Sequence, residues 1–224
     1  MTSLARRLSR DTRYVLLGFP LAVIAFCLVV AGVAAGVGSA VAFVGLLILA
    51  GTAAAARNFA DLERAALPGI LGHPVARPPY GEAPEGASWF RRTMTPVASA
   101  QAWVDLLYAI IAFPIALASF VFTVVWWAVA IAGLAFPVYG WFIASIPGTL
   151  DHGLPALLGL PQDVVTFVAL NTVVGVLFAV TLLPVVRGAA LIKATVAQVL
   201  LTRADYSQSP DRRRPMVSTY AAMR

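Results

Sequence analysis

The chain is 224 residues long, 60% of them hydrophobic and only 12% charged, with a mean hydropathy of +0.86. A soluble domain carries about a quarter charged residues; half that fraction cannot clothe a globule of this size in solvating groups, so soluble, disordered and coiled-coil classes are excluded and a bilayer is implied. The net charge of +6, from 16 basic and 10 acidic residues, is therefore read by where the charges fall and not as a nucleic-acid footprint.

Unpaired backbone groups are costly in hydrocarbon, so such a chain crosses as helices of about 20 apolar residues. The first charge-free stretch, 14–56, is about twice that length and carries Gly32, Gly36, Gly38 and Ser39 near its middle. This predicts a hairpin of two spans, about 14–34 and 38–56, joined by a tight turn. Arg6, Arg7, Arg10 and Arg13 precede it, and the apolar run is too long for a cleaved signal peptide. An amphipathic extension follows from Arg57 to Leu67, with Phe59, Leu62 and Ala66 on one face, Asp61 and Arg64 elsewhere on the circle, and Pro68 as its stop. The inner loop, 57–105, then runs irregularly to Trp89, Phe90, Arg91 and Arg92, a cluster suited to anionic headgroups. The stretch 106–150 supplies one span, about 106–131. Gly133, Pro137, Gly140 and Pro147 predict that it breaks there into an interfacial segment within an outer loop, 134–163. A fourth span covers 164–186. Leu191, Ile192, Val196, Val199 and Leu200 continue it as an amphipathic helix to about Arg203, and 204–224 reads as a disordered basic tail.

Four crossings place every arginine and Lys193 on one side, so the arginine rule predicts an all-α protein of the plasma membrane with both termini cytoplasmic. Tyr14, Phe19, Pro20, Ala22 and Phe26 recur at the same spacing as Tyr108, Phe113, Pro114, Ala116 and Phe120. Two hairpins that both start inside would be related by an axis along the membrane normal, as in a parallel repeat.

The second hairpin is the longer one, and its extra residues fall in the outer loop. A long loop on a rigid scaffold is where ligand contact tends to be placed, so Trp141, Asp151 and His152 are the candidate sensing residues. Pro20 and Pro114, each about two turns into a helix, are candidate hinge or packing positions. Asn171 is the candidate for an interhelical hydrogen bond. No predicted span contains an ionisable side chain, which disfavours a pump or secondary transporter. His73 and His152 fall on opposite sides, without zinc or triad spacing, and no phosphate-cradling glycine loop is present. Cys27, the single cysteine, sits inside an apolar run. The expectation is no catalytic residue, no cofactor and no metal.

Several segments carry a resemblance. The Tyr14–Phe26 segment with its Phe-Pro pair, the extension after Arg57, the stretch from His73 through Arg77-Pro78-Pro79-Tyr80, and Ala102-Trp103-Val104-Asp105-Leu106-Leu107-Tyr108 running into Phe113-Pro114 resemble the putative sensor domain of actinobacterial membrane proteins. The resemblance covers most of 10–203. It implies a four-helix module that in many members is the input half of a histidine kinase. After Arg203 this sequence has no histidine and no nucleotide-binding glycine motif. The expected organisation is a membrane domain over 1–203 and a tail over 204–224. The expected function is a non-catalytic signal-input module with the bilayer, a histidine kinase or other membrane protein, and a second copy of itself as partners, and no nucleic acid. The alternative is a structural or accessory subunit of a transporter or other complex.

Overall fold

The computed structural model describes residues 2–39, 44–75 and 99–202, together with 78, 86, 88 and 95. Its elements are α1 (Thr2–Gly38), α2 (Val44–Leu71), α3 (Ala100–Ala144), a one-turn α4 (Leu154–Leu157) and α5 (Val164–Leu201), and no strand occurs among the described residues. The cluster at Trp89 to Arg92 and the tail 204–224 lie outside them.

Among the described residues three helices, not four, are long and apolar enough to cross a bilayer: α1 from Leu4, α3 and α5. They make the chain a multi-pass membrane protein. The expected second span falls short for a local reason. Within the described residues α2 begins at Val44 and meets Arg57, Asp61, Glu63 and Arg64 before it has accumulated the roughly 20 apolar residues that a crossing needs.

The expected break in the second apolar stretch is also absent, since α3 runs unbroken from Ser99, whose hydroxyl caps the Ala102 amide at 3.2 Å, to Ala144. The glycines read as breakers serve close approach instead. A Cβ on Gly133 would lie 2.3 Å from Gly175 Cα, so α3 and α5 touch backbone to backbone there. The connection between α3 and α5 accordingly starts near Ser145 and not at 134. In the same way α2 continues through Pro68 to Leu71, and α5 is a single helix through both its apolar and its amphipathic halves.

Helix directions follow from paired contacts. Gly32 faces Thr52 and Gly36 faces Leu49, the mark of an antiparallel α1–α2 hairpin. Trp126 bonds Thr181 at 3.1 Å while Gly133 meets Gly175, so α3 and α5 form a second. Between the hairpins, Phe19 stacks on Phe120 at 4.4 Å, Phe26 on Phe113 at 4.5 Å, and Trp127 Nε1 donates to Thr12 Oγ1 at 3.3 Å. As the position rises along α1 the partner's falls along α3, which makes this pair antiparallel too. Asp11 with Arg187 and Gly18 with Lys193 rise together, so α1 and α5 point the same way. This corrects the expectation of two hairpins sharing one direction: their tips point oppositely, and their bases overlap.

At that overlap all four long helices share a core of Val15, Ala60, Leu67, Tyr108 and the alanine stripe Ala190, Ala194 and Ala197, which brings α5 close to its neighbours. Outside it, Leu17, Phe122, Ile131, Phe142, Val173 and Val180 are exposed, as they should be where lipid is the outer solvent.

Candidate functional site

The overlap of the two hairpins holds most of the ionisable groups that the structure buries. α2 supplies Glu63 and Arg64 from adjacent positions. The buried face of α2 is Ala56, Ala60, Arg64, Leu67 and Ile70, at helical spacing, whereas Leu62 is 56% exposed. Of the face expected from Phe59, Leu62 and Ala66 only Phe59 packs against the core, and Arg64, expected elsewhere on the circle, is only 7% exposed.

Arg64 spends its donors on three helices. Its terminal nitrogens reach Asp105 at 2.7 Å and Asp61 at 2.8 Å, and its Nε donates to the Leu201 carbonyl at 3.0 Å, at the last residue of α5. Asp105, fully buried, also accepts from Gln101 at 3.1 Å. About two turns of α5 further back, Lys193 pairs with Glu63, and its Nζ sits 4.0 Å from the centroid of the Tyr14 ring, whose hydroxyl donates to the same Glu63 oxygen. Gly18 makes this geometry available, because a Cβ there would lie 2.8 Å from Lys193 Nζ. A third node joins Arg187 to Asp11 at 3.2 Å and to the Ile70 carbonyl at 2.9 Å.

Asp11, Asp61, Glu63 and Asp105 thus face Arg64, Arg187 and Lys193, with Arg10 3.7 Å from Asp11. A charge in low-dielectric surroundings is tolerated when it is paired and its remaining hydrogen-bonding capacity is used, and in a membrane protein such groups face the bundle interior. Every member of this network meets the first condition. Its chemical capacity is mechanical: it fixes the register of four helices and ends on a backbone carbonyl of α5. Among the described residues no three or more His, Cys, Asp and Glu side chains converge on one point.

Beside the network a cavity of about 270 Å³ opens between α1 and α2, with Tyr14, Gly18, Ala22, Phe59, Glu63 and Lys193 among its walls.

The residues singled out in the sequence lie elsewhere. Trp141 is exposed in the last turn of α3, its Nε1 donating to the Pro137 carbonyl at 3.0 Å. Asp151 and His152 are exposed in the connection before α4, where His152 Nδ1 lies 3.0 Å from the Gly148 carbonyl oxygen. Along α3, Trp141 stands about 54 Å from Asp105 at 1.5 Å per residue, so the structure does not bring the loop candidates to the network. Pro20 is exposed on α1, and Pro114 lines a groove on α3 with Pro184 opposite. Asn171 donates to the Phe167 carbonyl of its own helix at 2.8 Å, so the bond found is not the interhelical one expected. At the start of α5, Asp163 accepts from the Thr166 amide at 2.8 Å and its hydroxyl at 2.7 Å, and these bonds hold its carboxyl below the usual carboxylate range.

The network residues carried a signal in the sequence. Asp105 and Lys193 are single charges with apolar neighbours on either side, a placement that in an apolar helix marks an interior position.

A family model described as "Putative sensor" matches residues 14–201, a span that contains every member of the network except Arg10 and Asp11. No curated protein and no solved structure matches the chain.

Proposed function

The chain belongs to the putative-sensor family, and from that membership we propose that it is a non-catalytic signal-input module of the membrane, in which a stimulus from the envelope or the bilayer changes helix packing and α5 passes the change to a cytoplasmic signalling partner such as a histidine kinase. The observation that carries this reading is the reach of Arg64 from α2 to Asp105 on α3 and to the final carbonyl of α5. Through these bonds a shift of the first hairpin is passed to Leu201. The energetic demand is modest, since about 1–3 kcal/mol between two packings gives useful coupling.

The placement of the chain ends bears on the same reading. The arginine rule favours both ends inside, which requires four crossings. Three spanning helices, with α1 and α5 pointing the same way, favour ends on opposite faces and α2 as a partial return, and the relay to a cytoplasmic partner then requires the end of α5, and not the start of α1, to lie inside.

Cysteine crosslinking between α2 and α5 tests the relay. Pairs placed at Ala60 and Ala197, scanned in cells with and without envelope stress, should change their crosslinking yield with the stimulus. A yield that stays constant under every stress would refute the relay.

A further inference from the structure

The cavity between α1 and α2 has the build of a binding site for a single-chain anionic amphiphile. Because the two helices are antiparallel, its walls pair Arg10 and Arg13 with Gly69 and Ile70 at one end, and Ala25 with Ala56 at the other. Arg10 to Ala25 along α1 spans about 22 Å at 1.5 Å per residue, a long and narrow space.

The two ends differ in chemistry. At the far end Leu21, Ala22, Ala25, Ala56 and Phe59 offer only hydrocarbon. At the near end stand two arginines. Lys193 and Glu63, half way along, are paired with one another and add no net charge. Asp11, 3.7 Å from Arg10, is already claimed by Arg187 at 3.2 Å, and Arg13 makes no ion pair among the described residues. The near end therefore holds uncompensated positive charge.

Size and access narrow the occupant further. About 270 Å³ lies just under the smallest cavities that take drug-sized ligands, about 300 Å³, so one alkyl chain fits and a two-chain lipid does not. The wall residues Leu17, Leu21 and Leu62 are exposed on the outer surface, so the crevice opens sideways, where a chain enters from the bilayer without crossing water.

We propose that this crevice binds an amphiphile with one long alkyl chain and an anionic head, the chain lying along Leu21 to Ala25 and the head at Arg10 and Arg13. A fatty acid and a lysophospholipid share this chemistry. The bound chain lies against Tyr14, Glu63 and Lys193, so its presence is felt by the ion network. The inference deepens the sensor reading and rests on it only for what the occupant does after binding.

The test uses the full chain in phosphatidylcholine nanodiscs with a diazirine-bearing palmitic acid as photoprobe and mass-spectrometric mapping. Labels should concentrate within 10–25 and 56–70. Palmitate should compete, and competition by lysophosphatidylglycerol as well would extend the site to phosphate heads, whereas palmitate alone would assign it to fatty acids. Hexadecanol, with the same chain and no charge, should compete about tenfold less well, the worth of one charged hydrogen bond. Arg13→Gln should weaken palmitate competition by a similar factor. Ala66→Trp, which fills the crevice from its exposed wall, should abolish the focused labelling while the melting temperature stays near that of the parent. Labels spread over the outer faces of α3 and α5, indifference to Ala66→Trp, or equal competition by hexadecanol would overturn the site. Focused labelling without any change in the α2–α5 crosslinks keeps the site and removes the relay, so the two failures are distinguishable.

Discussion

Asp105→Asn is the sharpest perturbation of the network, because it keeps the shape of the side chain and removes only its charge. Arg64 would then remain 7% exposed with its shortest carboxylate contact gone. Breaking one side of a buried pair costs about 3–5 kcal/mol. Arg64 keeps Asp61 at 2.8 Å and the Leu201 carbonyl at 3.0 Å, and the Asp61 side chain is 25% exposed, so hydration offsets part of the loss. The expected cost is the lower bound, about 3 kcal/mol. For a chain of this size that corresponds to a fall in Tm of about 6–12 °C. Arg64→Met should cost a similar amount by stranding Asp105. The double variant Arg64→Met/Asp105→Leu should lie within about 1 kcal/mol of the parent, since a buried pair replaced by apolar side chains of similar volume is often neutral. Thermal unfolding of the detergent-solubilised protein, followed by tryptophan fluorescence, supplies all four corners of the cycle. Additive single effects, or a cost for Asp105→Asn below the 1 kcal/mol or so of an exposed pair, would show that the network is solvated and would refute the argument built on its burial.

Three further outcomes follow from individual positions. Gly175→Ala places a methyl group 2.4 Å from the Gly133 carbonyl carbon and should destabilise by about 1–3 kcal/mol through forced separation of α3 and α5, whereas Gly51→Ala, with open space around it, should be neutral or stabilise by up to about 1 kcal/mol; denaturant titrations compare them. Asp163→Ala should speed amide exchange at Thr166 at neutral pH. Because the carboxyl of Asp163 is held below its ordinary range by bonds made in the folded state, its contribution is complete above the unfolded pKa and disappears as pH falls through the lower, folded value, so the parent should acquire the same fast exchange only below the usual carboxylate range. In a Cys27→Ser background, of single cysteines introduced at Ser3 or at Thr202 one should react with an impermeant maleimide in intact cells and the other only after permeabilisation, the two positions lying on opposite faces. Labelling from one face would show that α1 and α5 do not cross in the same direction.

The long apolar helices were legible from composition and length, because hydrocarbon leaves a chain few other ways to satisfy its backbone. Their ends were not. Gly133, Gly140 and Pro137 look like punctuation in a linear reading, and only the presence of Gly175 against Gly133 turns the same residues into a helix contact. A glycine that lets two backbones touch and a glycine that turns a chain have the same letter, and the choice is made by a partner more than forty residues away in the sequence. The direction of the second hairpin was hidden for a related reason. The recurrence of Tyr14–Phe26 as Tyr108–Phe120 says that two segments have similar surfaces, and similar surfaces pair equally well side by side or head to tail. The crossed stacking of Phe19 on Phe120 and Phe26 on Phe113 selects the second arrangement.

The same reasoning explains why the network escaped a reading based on spans. Charges next to an apolar run are ordinarily assigned to water at the end of the helix, and Arg57, Asp61, Glu63 and Arg64 fit that assignment when α2 is considered alone. Antiparallel overlap of the hairpins changes their surroundings, because the base of one hairpin then lies against the base of the other. Lys193 meets Glu63 and Arg187 meets Asp11 only in that register. Sliding α5 by one turn, about 5.4 Å, would separate each cation from its partner and leave Lys193 buried without its carboxylate. The charges therefore restrict the bundle to a small number of discrete registers, and a stimulus that moves α5 has to exchange one set of partners for another. A purely apolar interface of alanines, such as Ala190, Ala194 and Ala197 alone would make, could slide by small amounts at little cost and would transmit position poorly.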